Sequence, residues 1–537
     1  MKLFLKYTGE VKKMKMKIKF LISLFVLTCF LNPVSADDFS WNNNLRTLFV
    51  ENGANIYTIN IRTFGAKDYN KNDIIETNLG EAKGTFTNAI PRLKELREIG
   101  INTIYLLPIT KTGKLKALGT AGSLYALDSF DKIDPNLLDE TDFTPNVKEQ
   151  AKKFIKEAHR LQMHVIVDLP SCGSYDMSLE KPELFLKDKD NSAIIPSDWT
   201  DVRLFRVYDK EGNLNKALVE EYKSFVDLVQ YIGADGIRAD VAAIKPKEFW
   251  MEIINYARKN DPQFLFLAEA SPKWQNPAKG YVSYTSVEDL LKAGFDGYYS
   301  DWSDLKDIKT KSDFYSKVQE DLKLIEKFEN KKSVIANFAT HDQVSPATLG
   351  YPYWQMVNWL NMTLPINPYT LDGFPAADTY AYKFQNKKAE KSYTDDDTYF
   401  VHKNKFDIFN FSRAPYSIKK EDLEESEYLN AARLRYVMAP FIASKNCEFL
   451  KTNNNSVFAF KKEIGSEFVI VIGNLDYINS QDATVKVPKM KKDDFAMPFK
   501  MQEAPIAKNG AFEVSLKPFE IQVLAIKKMP KQNKKSK

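Results

Sequence analysis

From residue 54 onward the chain repeats one pattern, a short β-rich apolar run followed by an amphipathic helix. The runs are Ala54–Phe64, Thr103–Pro108, His164–Leu169, Gly236–Val241, Phe264–Ala268, Phe295–Tyr299 and Ser333–Phe338, with Met362–Pro365 as the eighth. Helical faces between them are marked at three- and four-residue spacing. Ile90, Leu93, Leu96 and Ile99 form one, and Val147, Ala151, Phe154, Ile155, Ala158 and Leu161 another. Leu218, Tyr222, Phe225, Val226, Val229 and Ile232 form a third, stopped by Gly233. Strands separated by helices make a parallel sheet. About eight such units before residue 445 predict a (β/α)8 TIM barrel rather than an open doubly wound sheet.

Two stretches break the rhythm. Pro170–Asn215 lies between the third strand and its helix and far exceeds the usual loop of about 2–6 residues. It is polar and predicts a small inserted domain at the top of the barrel. After about residue 445, Ser456–Lys462, Glu467–Leu475, Ala483–Val487, Ala511–Leu516 and Glu520–Ile526 are short alternating strands with no helix between them. They predict a separate C-terminal antiparallel β-sandwich.

The N-terminus reads as an export signal. A basic stretch ends at Lys19, Phe20–Leu31 is apolar, and Val34-Ser35-Ala36 is a small-residue cleavage pattern. An apolar run of that length is too short to span a bilayer, which takes about 20 residues. The expected plan is therefore a signal over 1–36, a barrel over 37–445 with residues 170–215 inserted, a sandwich over 446–528 and a basic tail over 529–537. The mature chain carries no expected transmembrane helix, and its expected location is secreted or periplasmic. An uncleaved membrane anchor is the alternative.

Composition narrows the partners. The net charge of +5 comes from the N-terminal segment and the Lys-rich tail. The body is mildly acidic, so no nucleic-acid-binding face is expected. Three cysteines cannot build a disulfide framework, and 21 Gly with 24 Pro exclude collagenous and low-complexity classes.

The chemistry gathers at strand ends, where barrels carry their active sites. Arg238 and Asp240 are two residues apart on the fourth strand and share a face. The only charge of the fifth is the terminal Glu269, and the seventh runs on to His341 and Asp342. One strand-end acid is ordinarily satisfied by a salt bridge. Three converging on one mouth suit glycoside cleavage, which uses a carboxylate nucleophile and a protonated carboxylic acid on opposite sides of the bond. Crowding raises the pKa of such acids and keeps one protonated.

These segments resemble the α-amylase superfamily of glycosidases and transglycosidases. Its Gly-x-Arg-x-Asp motif matches Gly236-Ile237-Arg238-Ala239-Asp240, its strand-5 glutamate matches Glu269, and its His-Asp pair matches His341-Asp342. Gly122–Leu127 with Asp134-Pro135, and Ala158–Met163 leading to Asp168, also fit. The resemblance implies a retaining mechanism with Asp240 as nucleophile and Glu269 as acid and base. Asp342 and His341 would bind sugar hydroxyls, and Arg238 would orient Asp240. Tyr125 would stack under the sugar, and Asp168, ending the third strand, would be a substrate-binding residue. The substrate would be an oligosaccharide or polysaccharide, an α-glucan or α-glucoside.

The match fails at two places. Where the family closes its strand-3 motif with Asn-His, this chain has Leu169-Pro170-Ser171-Cys172-Gly173. Where many amylases follow the nucleophile with Lys-His, it has Ala243-Ile244. The family's calcium site is therefore expected to be lost, with no metal and no cofactor. Cys172 is read as a small packed residue, His164 and His402 as structural, and His159 as a packing or surface residue. Lys245-Pro246 and Phe249-Trp250 resemble a maltosyltransferase branch that uses a sugar phosphate donor, which is an alternative activity. A non-catalytic sugar-binding or scaffold protein on the same barrel is another.

Overall fold

The computed structural model describes residues 44–67, 69–70, 75–117, 122–197, 199–343, 345–379, 427–437, 445–464, 467–488, 495–498, 507–508 and 510–527. The expected export signal, the basic tail and His402 lie outside these residues.

Eight strands form one parallel sheet: β1 Ile56–Ile59, β2 Thr103–Leu106, β3 His164–Leu169, β4 Gly236–Ala239, β5 Leu265–Ala268, β6 Gly297–Tyr299, β7 Ser333–Ile335 and β8 Tyr369–Leu371. Their order is β8-β1-β2-β3-β4-β5-β6-β7, every pair parallel. A bridge between Ile335 and Asn367, just before β8, nearly closes the ring. Every residue of β1 to β8 is buried, as strands covered on both faces require.

Local chemistry sets the boundaries. Gly236 opens β4 because a Cβ there would lie 2.6 Å from that of Leu265 on β5. Gly233, at φ +88, ends the preceding helix Lys216–Tyr231 in the left-handed region that glycine tolerates. The alternating run Ala54–Phe64 is not one strand. β1 ends at Ile59, and the Asn60 side chain then accepts from the Arg62 N–H at 3.0 Å, starting a helical turn over Ile61–Phe64.

The eighth strand is not where the apolar run Met362–Pro365 placed it. Met362 belongs to the helix Tyr351–Thr363, and β8 is Tyr369–Leu371. That helix is buried almost all round, so its last turn has no polar face to mark it as helical.

The segment 170–215 forms a two-stranded ribbon, Gly173–Ser174 with Val202–Arg203, and a short helix Tyr175–Glu180. Phe185 and Phe205 join the barrel core, while Cys172, Ile194, Val202 and Leu204 pack with Ile244 and Ala278. The insertion thus seals onto the loops after β4 and β5.

The C-terminal part is two antiparallel sheets, one built around Val457–Ile464, Glu467–Asn474 and Ile521–Lys527, the other around Gln481–Lys486 and Ala511–Leu516. Alternation divides the first sheet. Val457, Ala459, Ile470 and Ile472 face the second sheet with Val485, Phe512 and Leu516. Phe458, Phe460, Val469 and Val471 face the barrel and extend its core. Phe314 stacks on Phe458 at 4.2 Å, and Lys311 Nζ donates to the carbonyls of Thr452 (2.7 Å) and Asn454 (3.0 Å).

Candidate active site

β4 carries Arg238 inward, 1% exposed. Its Nη1 donates to Asp168 at the end of β3 (2.8 and 3.0 Å) and to Asp240 Oδ1 (3.1 Å), and its Nη2 lies 2.6 Å from Glu269 Oε1. One guanidinium therefore gathers carboxylates from the ends of three neighbouring strands. The rings of Tyr105, Tyr125 and Tyr299 surround it at 5.6–6.0 Å. Tyr105 and Tyr125 each donate their hydroxyl to Asp168 Oδ2 at 2.6 Å.

Two further donors come from backbone. Ser171 N–H donates to Asp240 Oδ2 (3.0 Å), and the Ser171 hydroxyl donates to the Asp240 carbonyl. Val241 N–H donates to Glu269 Oε2 (2.7 Å). Val241 holds φ +36 and ψ +50, a conformation that costs a β-branched residue about 1–3 kcal/mol. The strained turn after Asp240 is what aims that N–H at the acid on β5.

His341 is buried and sits opposite. Its Nε2 is 2.7 Å from the Tyr125 hydroxyl, and the two rings stack at 5.4 Å with an interplanar angle of 7°. Burial, then the Arg238 charge, push its pKa down to about 3, so the ring is neutral. The Tyr125 proton goes to the Asp168 carboxylate, which assigns the Nε2–H tautomer to His341, donating to the phenol oxygen. Asp342 Oδ2 lies 3.6 Å from His341 Nε2, and 48% of the Asp342 side chain is open to solvent. It is the most open of the site carboxylates.

The two central acids differ. Burial raises both. For Asp240 the Glu269 charge adds to the rise, and the shift is large. Arg238 opposes the rise in both, joined by the Ser171 N–H at Asp240 and the Val241 N–H at Glu269, while the Asp342 charge adds to the rise of Glu269.

All seven residues singled out in the sequence, Tyr125, Asp168, Arg238, Asp240, Glu269, His341 and Asp342, belong to this one constellation. Tyr125 is a hydrogen-bonded wall stacked on His341. Ser171, Val241, Tyr105 and Tyr299 also belong to it and carry no sequence signal beyond lying near strand ends. Tyr284, beside Glu269, is another: burial and the Glu269 charge push its phenol up to about 12.

The residues present do not fit the family's calcium. Cys172 and Ile244 pack together in an apolar cluster, and the carbonyl of Ser171 is taken by the Lys245 ammonium at 2.8 Å. Calcium wants about 6–8 oxygen ligands. Cys172 is buried, with its thiol pushed up to about 12, which describes a packed residue and not a nucleophile. His159 and His164 both bind Asp235, beneath the start of β4, at 2.8 and 3.3 Å.

No family model matches the chain. The α-1,4-glucan:maltose-1-phosphate maltosyltransferase 2 of Streptomyces coelicolor is 22% identical over 441 residues, 75% of this chain and 58% of that protein. The maltosyltransferase of Bifidobacterium animalis subsp. lactis is 27% identical over 216 residues, 36% of this chain and 28% of that protein. The chain thus spans 58% or less of the length of these two relatives. An α-amylase from Lactobacillus plantarum superposes with a TM-score of 0.63 at 19% identity, over 89% of this chain and 99% of that one, a likeness of fold. In sequence the chain is thus similar to maltosyltransferases, and its nearly closed barrel with C-terminal sheets is the fold seen in the α-amylase structure.

Proposed function

We propose that this chain is an exported retaining glycosidase or transglycosidase acting on α-glucans or α-glucosides. The observation that carries the proposal is the buried Arg238, which holds Asp168, Asp240 and Glu269 together at one barrel mouth. In the first step an Asp240 oxygen attacks the anomeric carbon while Glu269 gives its proton to the departing glycosidic oxygen. A glycosyl ester forms on Asp240 and the aglycone leaves as an alcohol. In the second step Glu269, now ionised, takes a proton from water or an acceptor hydroxyl, whose oxygen displaces Asp240. Asp342 and neutral His341 hold hydroxyls of the reacting sugar, and Tyr125 walls that subsite. The constellation works without calcium.

A second activity, glycosyl transfer from a sugar phosphate, is favoured by the maltosyltransferase relatives and by Lys245-Pro246 with Phe249-Trp250. The same ester on Asp240 would form, with phosphate leaving. Incubation of the mature protein with α-glucans, maltose, sucrose, trehalose and sugar 1-phosphates separates the two. Reducing sugar released from a glucan supports the first. Phosphate released only when an acceptor glucan is present supports the second. Sugar binding with no turnover of any donor would support a non-catalytic protein.

A further inference from the structure

We infer that Lys245 is a positioning residue for Asp240, acting through Ser171: its ammonium fixes the Ser171 carbonyl, and Ser171 offers its N–H to the Asp240 carboxylate. The inference rests on Asp240 being the nucleophile. Lys245 follows the short turn Ala242–Ile244 and is 1% exposed. Its Nζ donates to the Ser171 carbonyl at 2.8 Å. Ser171 N–H is 3.0 Å from Asp240 Oδ2, and the Ser171 hydroxyl donates to the Asp240 carbonyl. With Arg238 on Oδ1, each Asp240 oxygen has its own donor, so the plane of the carboxylate is fixed.

The placement has no packing rationale. Among the described residues no carboxylate lies within 4.0 Å of the ammonium. It lies 5.2 Å from the Tyr222 ring and 5.9 Å from the Phe205 ring. A buried, unpaired ammonium opposes folding, and burial pulls its pKa down to about 8. A lysine in this pocket therefore weakens the fold, and an apolar residue of the same length would fill the space without that cost. The titratable groups it faces are the Cys172 thiol and Asp240. Asp240 in turn is faced by Glu269, Arg238 and Asp168. Lys245 thus adds a positive charge that acts on the nucleophile, and its ammonium fixes the loop after β3 where the expected Asn-His pair is missing.

A positive charge near Asp240 favours its ionised form, so removing it raises the pKa of the dyad. The test uses the full-length protein with α-glucosyl and α-maltosyl fluoride as donors. Lys245→Met keeps the length of the side chain and removes the charge. The expected result is a folded protein whose acid limb of kcat/KM moves up by about one pH unit, with about a tenfold loss at pH 5 and a smaller one at pH 8. Lys245→Arg keeps the acid limb in place. Lys245→Gln keeps a donor for Ser171, and shows the shifted limb with a smaller loss of kcat. An unmoved acid limb in Lys245→Met overturns the inference. So does an equal loss at every pH in Lys245→Met and Lys245→Arg alike, or failure of both Lys245→Met and Lys245→Gln to fold, since each assigns Lys245 to stability alone. A wild type that neither turns over the fluorides nor carries a label on Asp240 overturns the underlying assignment of Asp240, and is seen before any variant is made.

Discussion

Arg238 Nη2 lies 2.6 Å from Glu269 Oε1, closer than Nη1 lies to Asp240 Oδ1 at 3.1 Å. The residue assigned as the acid thus has the tighter ionic contact in the ligand-free site. Donation of its proton requires that contact to loosen as the glycosidic oxygen arrives. Loss of the Arg238 contact raises the pKa of Glu269. The alkaline limb of kcat, which reports the bound enzyme, is therefore expected above that of kcat/KM, which reports the free enzyme. Parallel pH profiles of the two constants measure the gap. Coincident limbs would mean that Glu269 is already released before substrate binds.

Arg238→Met leaves Asp168, Asp240 and Glu269 facing one another without their common cation. Breaking a buried pair from one side costs about 3–5 kcal/mol. Thermal unfolding at pH 8 is expected to show a loss of that order. The loss should shrink toward pH 5, because Asp240 and Glu269 take up protons there and repel less. A loss independent of pH would contradict the shared ion network.

His341 gives stability a pH signature of its own. Its folded pKa, about 3, lies below the ordinary value of 6.5 because burial and then Arg238 oppose protonation. Between those values the unfolded chain binds the proton and the folded chain does not, so stability falls as pH drops below about 6.5. At pH 5 the contribution is about 2 kcal/mol. Denaturant unfolding of His341→Gln should show a flatter decline between pH 6.5 and pH 5 than the wild type. An equally steep decline would place the acid sensitivity elsewhere.

The barrel was legible because strand and helix periods alternate, and β3 falls on His164–Leu169 as the sequence predicts. The eighth strand was not, because the helix Tyr351–Thr363 is buried on nearly every side and its end reads like a strand. β8 itself is only three residues long. Within the site, Arg238, Asp240 and Glu269 were visible as charges in apolar strands. Ser171 and Val241 were not, because their contribution is a backbone N–H whose direction is set by tertiary contacts. Lys245 stood out in sequence as part of a branch motif, but its burial against Ser171 depends on the insertion folding over the loop after β4.

Chelation is expected to leave the protein unchanged. Cys172 and Ile244 pack together and Lys245 occupies the Ser171 carbonyl, so apolar contact and an ammonium fill the positions where the family would place calcium ligands. Melting temperature with EDTA should match that without it. A large drop restored by added calcium would contradict this account of the insertion.

The most direct test of the central claim is covalent trapping. Glu269→Gln removes the acid and base but leaves Asp240 free to attack a donor whose leaving group needs no proton, such as an α-glycosyl fluoride. The ester then forms and its hydrolysis stalls. Mass spectrometry of the digested variant is expected to show one added glycosyl unit on the peptide containing Gly236–Asp240, and Asp240→Ala should show none. A label on Asp342, or on Glu269 in the wild type, would contradict the assignment of the nucleophile.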